Sequence, residues 1–249
     1  MASSITECHR VLLTFIRTRK IVLEDEMDAK FPILVSHFGL DSENPSLLRE
    51  YISTINVALE KHAFKIETIR DQESRQHQYV FINTRFDDVI QGCTPYTPPE
   101  LDAIKQVIDE IINASNFSFC FPQGNAKQLV GSTLKQRASD ATYFVARLVD
   151  DGWIEITQLN RLVLAPASLA ELKEYLADRF GYFLADDLLG KLLVCHTCGD
   201  LVTLGVKCRS RDCGSSFHKK CAEVYMRSND GCPSSSCSDT LEDMVKVGP

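Results

Sequence analysis

Seven cysteines and one histidine lie between Cys195 and Cys237 in the order C-x2-C-x9-C-x4-C-x4-H-x2-C-x10-C-x4-C. Cys195, Cys198, Cys208, Cys213, His218, Cys221, Cys232 and Cys237 supply eight soft or borderline ligands, enough for two closed tetrahedral zinc sites. Gly199, Gly205, Gly214 and Gly231 lie between them, a residue type suited to the tight knuckles that bring ligands together. Eight interleaved ligands can pair sequentially, with Cys195, Cys198, Cys208 and Cys213 sharing one ion, or in a cross-brace of alternate pairs. The cross-brace is favoured: Cys195, Cys198, His218 and Cys221 on one zinc, Cys208, Cys213, Cys232 and Cys237 on the other. Four protein ligands leave no open position for an activated water, so the two zinc ions are expected to be structural and not hydrolytic. So short a segment buries little apolar surface, and metal binding, on the order of 10 kcal/mol per structural site, should supply much of its folding free energy. His196, between two ligands, is expected to be a surface neighbour.

The elements upstream repeat one order. Val11, Leu12, Phe15 and Ile16 have helical spacing within residues 7–19, a segment from Val22 to Phe38 follows, and Asn44-Pro45 looks like a cap and first turn. A third helix is expected from Ser46 to about His62, with Leu47, Leu48, Tyr51, Ile52, Ile55 and Leu59 on one face. Alternation at Phe64, Ile66 and Ile69, then Tyr79 and Phe81, predicts a hairpin whose tip, residues 71–78, is polar. After a proline-rich break, Thr97-Pro98-Pro99-Glu100 forms a capping box that opens a helix with Leu101, Ile104, Ile108 and Ile111 inward. A helix over 124–134, a third from a Ser139 cap through Val149, and a hairpin of Gly152 to Ile156 with Arg161 to Leu164 complete a second module in winged-helix order. Pro166 and the box Ser168-x-x-Glu171 are expected to start a closing helix through Phe180. The fold class is therefore mainly α with small β-hairpins, α+β: tandem winged-helix domains over 1–93 and 94–182, then a linker and a C4HC3 zinc module with cross-brace topology over 183–249.

A winged helix often reads DNA with its third helix, yet residues 139–150 offer only Arg147 against Asp140 and Asp150. The apolar Tyr143, Phe144, Val145, Leu148 and Val149 favour burial in a core or a protein interface, and direct DNA contact is the lesser reading. The net charge of −7 and pI near 5.4 argue against a uniform basic surface that holds nucleic acid. Neither a secretory signal nor a membrane span is legible, and only Cys8, Cys93 and Cys120 lie outside the cluster, which fits a reducing compartment, cytosolic or nuclear, better than a disulfide framework. These three thiols have no visible base partner. Asp87-Asp88, Asp150-Asp151 and Asp186-Asp187 are expected to be loop or cap residues, and no phosphate loop or H-E-x-x-H motif is present.

The C4HC3 ligand order, Phe217-His218-Lys219-Lys220-Cys221 followed by Tyr225, the Cys232-Pro233 step, Cys8-His9-Arg10, Tyr51 to Asn56 and Asp151-Gly152-Trp153-Ile154 together resemble the non-SMC element one family. That family supplies the RING-like subunit of the structural maintenance of chromosomes five/six complex. The resemblance, which spans nearly the whole chain, implies a MAGE-type partner (non-SMC element three), a kleisin-type subunit and a ubiquitin-conjugating enzyme. It also implies a nuclear, chromosome-associated role in DNA repair by homologous recombination, and RING-type ubiquitin-ligase activity. Two departures stand out. Cys208 to Cys213 and Cys232 to Cys237 are each separated by four residues where the family usually has two, and Ser238 replaces the basic residue that ligases use just beyond the last ligand. Leu201, Val202 and Leu204 are the expected apolar patch for the conjugating enzyme; weak or partner-dependent activity follows. A PHD-type chromatin reader lacks its usual tryptophan, since Asp230 stands at that position and the one tryptophan is Trp153. An architectural subunit docking through Phe217, Tyr225 and Met226 is the remaining alternative.

Overall fold

The computed structural model describes residues 5–40, 46–84, 95–184, 186–235, 237–240 and 244–249. Asn44-Pro45, Cys93 and Asp87-Asp88 lie outside the described residues. The chain divides into two compact units, residues 1–71 with 75–87, and the remainder.

In the first unit, α1 (Glu7–Arg19), β1 (Ile21–Leu23), α2 (Glu24–His37), α3 (Leu47–Leu59), β2 (Phe64–Arg70) and β3 (His77–Asn83) follow one another. The strands form an antiparallel sheet in the order β1-β3-β2. Helical periodicity explains the core. Cys8, Leu12 and Ile16 of α1, Met27, Phe31 and Val35 of α2, and Tyr51, Ile52 and Ile55 of α3 recur at three- or four-residue steps and are all buried. The His9 ring stacks on Tyr51 at 4.0 Å, while its Nδ1 accepts the Thr6 backbone N–H at 3.2 Å at the start of α1. Asn56 bridges helix to sheet: its side-chain amide donates to the Ile66 carbonyl at 2.9 Å and its oxygen accepts the Ile66 N–H at 2.7 Å.

The second unit repeats the order with α4 (Pro98–Ile112), β4 (Phe121–Pro122), α5 (Gln123–Leu134), α6 (Ala138–Asp150), β5 (Ile154–Ile156) and β6 (Arg161–Leu164), the sheet running β4-β6-β5. Both modules thus place their first, very short strand beside the second strand of the hairpin, completing the winged-helix topology. The Thr97 capping box forms, with the Thr97 N–H donating to a Glu100 carboxylate oxygen at 2.7 Å. The expected box at Ser168 does not. Pro166 opens α7 (Pro166–Glu171) behind an Ala165 cap, and the buried Ser168 hydroxyl donates to the Gly152 carbonyl at 3.1 Å, so it is unavailable as a cap. The closing helix is broken at Leu172, and α8 (Lys173–Phe180) continues after it.

In α6, Ala141, Phe144, Val145 and Leu148 are buried, as expected for a helix that faces its own core. One apolar cluster continues from Ile104, Ile108, Leu162 and Leu172 into Leu193, Val202, Phe217 and Val247 of the cysteine-rich region. There β7 (Gly205–Lys207) lies between β8 (Ser216–Phe217) and β9 (Val245–Val247), and α9 (Lys219–Met226) carries Cys221. Among the described residues, no helix is long and apolar enough to cross a membrane.

Candidate metal centre

The ligand candidates gather in alternating pairs. Cys195, Cys198, His218 and Cys221 form one group and Cys208, Cys213, Cys232 and Cys237 the other, with all ligand atoms of a group within 4.8 Å of one another. The backbone explains how. Val194 bridges Leu201, folding the first knuckle so that the Cys195 N–H donates to the Asp200 carbonyl at 2.8 Å and the Gly199 N–H to the Cys195 carbonyl at 2.9 Å. Gly199 sits at φ +75, which a side chain would strain. The β7-β8 hairpin then carries the chain through Cys208 and Cys213 and back to His218, so the third and fourth ligands are set aside for the second group. His218 caps α9, whose first turn returns Cys221 to the first.

The chemistry of each group suits a zinc ion. His218 is fully buried; its Nε2 donates to the Leu201 carbonyl at 3.1 Å, which leaves the Nδ1 lone pair facing the sulfurs, 3.4 Å from Cys198 Sγ. A histidine oriented by a carbonyl on its far nitrogen is the usual arrangement of a metal ligand. In the second group, Cys208 and Cys237 sulfurs are 3.6 Å apart and those of Cys213 and Cys232 3.5 Å. The four-residue loops are accommodated by turns: the Cys213 N–H donates to Ser210 and the Cys237 N–H to Ser234.

Burial pushes all of the shifted thiols upward, and local bonds then divide them. Burial raises Cys195, but hydrogen bonds with the His218 side chain and the Cys198, His218 and Thr197 backbone bring it down to about 6. Cys198 stays raised by burial and by the neighbouring Cys195. In the second group burial raises Cys208, reinforced by Cys237, Cys213 and Cys232, whereas hydrogen bonds led by Ser215 bring Cys213 down. Within each cluster one thiol is thus held down while a neighbour is held up, as expected of sulfurs crowded together, and a divalent cation between them would relieve that crowding of negative charge. These two clusters could each hold one zinc, closed on four sides.

Other sequence expectations separate here. His196 is exposed, its ring 5.8 Å from Phe217 and 5.5 Å from Tyr225, outside the ligand group. Leu201 and Val202 are buried, contrary to an exposed patch, because the bridge to Val194 turns them into the core; Leu204 is half-buried. Phe217 is likewise fully buried and cannot dock a partner, whereas Val224 and Met226 on α9 are exposed. Arg147 is engaged internally, at 3.3 Å from Glu100, 3.6 Å from Asp151 and 2.8 Å from the Pro95 carbonyl. Asp151 accepts the Tyr96 hydroxyl at 2.5 Å, and the Asp187 carboxylate accepts the Leu189 N–H, so Asp151 and Asp187 have structural roles. Cys8 and Cys120 are buried, and burial pushes the Cys8 thiol up. Sequence reasoning missed Lys207, a buried lysine next to a ligand; its only legible signal was a charge within the apolar pattern of β7.

Comparison with known proteins agrees with this architecture. Residues 9–172 match the family model described as Nse1 non-SMC component of SMC5-6 complex, and residues 195–237 match the RING-like domain model. Non-structural maintenance of chromosomes element 1 of Schizosaccharomyces pombe is 22% identical over 88% of this chain and 87% of its own length. The element 1 homolog of Drosophila melanogaster is 22% identical over 83% and 84%, respectively. Among solved structures, a chain of an Nse1-Nse3-Nse4 complex superposes with a TM-score of 0.80 at 17% identity, covering 98% of this chain and all of that one. Two winged-helix modules, the alternating Cys/His clusters and a family match over most of the chain lead to one conclusion: the chain belongs to the Nse1 family of non-SMC components of the SMC5-6 complex.

Proposed function

We propose that Cys195, Cys198, His218 and Cys221 hold one structural zinc and Cys208, Cys213, Cys232 and Cys237 a second, and that the resulting RING-like module works as a ubiquitin-protein ligase. The observation that carries this reading is the alternating assembly of eight ligands into two four-ligand clusters. Bound zinc supplies a rigid cross-link, not a reactive water. In such a module the protein performs no covalent step. Its surface holds a ubiquitin-conjugating enzyme near an acceptor, so that transfer gains from effective concentration. With Leu201 and Val202 in the core, the exposed Val224 and Met226 of α9, with the half-buried Leu204, are the apolar side chains we assign to that contact. The solved relative assembles with Nse3 and Nse4, and we assign this chain a MAGE-type and a kleisin-type partner of the same kind, in a nuclear, chromosome-associated complex acting in DNA repair by homologous recombination. Ser238 beyond the last ligand makes the activity partner-dependent.

Reconstituted ubiquitination with the MAGE-type partner tests the reading. Wild type is expected to form chains, whereas Cys195→Ser and the double variant Val224→Ser with Met226→Ser should lose them. The burial of Leu201 and Val202 favours a second reading, an architectural subunit. Absence of chains under every pairing, with the complex intact, would select it.

A further inference from the structure

Lys207 is 5% exposed, and among the described residues it forms no ion pair with a carboxylate. Its Nζ donates to the Cys208 carbonyl at 2.9 Å and the Ser210 carbonyl at 3.3 Å, and lies 5.5 Å and 5.6 Å from the centres of the Phe117 and Phe183 rings. Burying a lysine ammonium without a carboxylate is costly unless other groups nearby offset its charge. The four cysteines that begin at its neighbour Cys208 carry, with one zinc, a net negative charge, and the two aromatic faces are within cation–π range.

The receiving segment is unusual too. Asn116, Phe117 and Phe119 all take positive φ, at +57, +53 and +43, a region that non-glycine residues, and bulky ones above all, rarely adopt. Such backbone persists when surrounding contacts over-determine it. Here the zinc-binding region supplies them: the Lys207 ammonium over the Phe117 ring, the Gly248 N–H donating to the Phe117 carbonyl at 3.0 Å, and Phe183 edge-on to Phe117 at 5.2 Å.

We propose that Lys207 is a positioning residue for the second zinc site, its buried ammonium fastening the Cys208-to-Ser210 loop to Phe117 of the second winged helix and offsetting the charge of the four thiolates. The inference rests on the zinc reading above. Retention of that ion and the conformation of residues 116–119 then support each other.

The test uses the full chain loaded with cobalt(II), whose all-thiolate and three-thiolate, one-imidazole sites have different visible spectra. On addition of a chelator, Lys207→Met and Phe117→Leu are expected to speed release from the all-thiolate site about 10-fold or more, the range for losing an outer-shell partner, and to leave the other site unchanged. Lys207→Arg, which keeps the charge, should lie nearer wild type. Release at the wild-type rate in Lys207→Met, or equal acceleration at both sites, overturns the proposal. Should Lys207→Met not fold, wild type provides the measurement: withdrawing the all-thiolate metal must raise amide exchange at residues 115–119, and unchanged protection overturns the proposal. A wild-type chain without an all-thiolate spectrum would instead defeat the zinc reading itself.

Discussion

The guanidinium carbon of Arg147 lies 4.4 Å from the centre of the Tyr96 ring. Together with the Glu100 and Asp151 carboxylates and the Pro95 carbonyl, this ring fixes the one basic side chain of α6 against the start of its own module. Burial pushes the Tyr96 phenol above its ordinary range, with the bond to Asp151 acting in the same direction, so the hydroxyl remains a donor. Arg147→Met is therefore expected to cost about 1–2 kcal/mol of stability in denaturant unfolding, from a cation–π contact and two partly buried ion pairs. Binding of the chain to duplex DNA should change less than twofold; a large loss of DNA affinity with unchanged stability would return α6 to a recognition role.

Asn56 offers a second measurement in the first unit. Asn56→Ala leaves the Ile66 N–H and carbonyl without their side-chain partner, an expected loss of about 1–3 kcal/mol. Asn56→Asp keeps the acceptor and loses the donor, so it should fall between wild type and alanine. Equal stability of all three in chemical denaturation would deny the bridge its role.

His9 makes the first unit sensitive to acid. Burial holds its pKa below the ordinary 6.5, so the unfolded chain takes up the proton first. The contribution is fully present above the unfolded value, falls as pH drops through about 6.5 and levels off below the folded value. His9→Gln should flatten that part of the stability profile between pH 7.5 and pH 5.5 relative to wild type, as read by unfolding monitored at each pH. A profile equally steep in both proteins would show that other groups set it.

Much of this was legible in the sequence for physical reasons. Ile52, Ile55, Ile104, Ile108 and Ile111 advertise helices because packing needs one apolar face, and Thr97 to Glu100 announces a helix start because orphan N–H groups need acceptors. The three-residue β1 and two-residue β4 were not legible, since strands that short show no alternation and exist only through pairing with β3 and β6. The eight candidate ligands were legible as a set from residue type and spacing. Their pairing was not fixed by spacing, because both sequential and alternating schemes satisfy tetrahedral zinc; the β7-β8 hairpin decides it. Leu201 and Val202 misled because neighbouring apolar residues in a knuckle read as a surface patch until the bridge to Val194 is known. Lys207 was missed because its one signal, a charge within the short β7, does not show in sequence that the lysine is covered.

The alternating pairing is tested most directly by counting zinc in the double variant Cys195→Ser with Cys221→Ser. Both residues belong to one cluster here, whereas sequential pairing divides them between two. Native mass spectrometry of the full chain should find two zinc ions in wild type and one in the double variant. Fewer than two in wild type, or none in the variant, would contradict the interlocked arrangement.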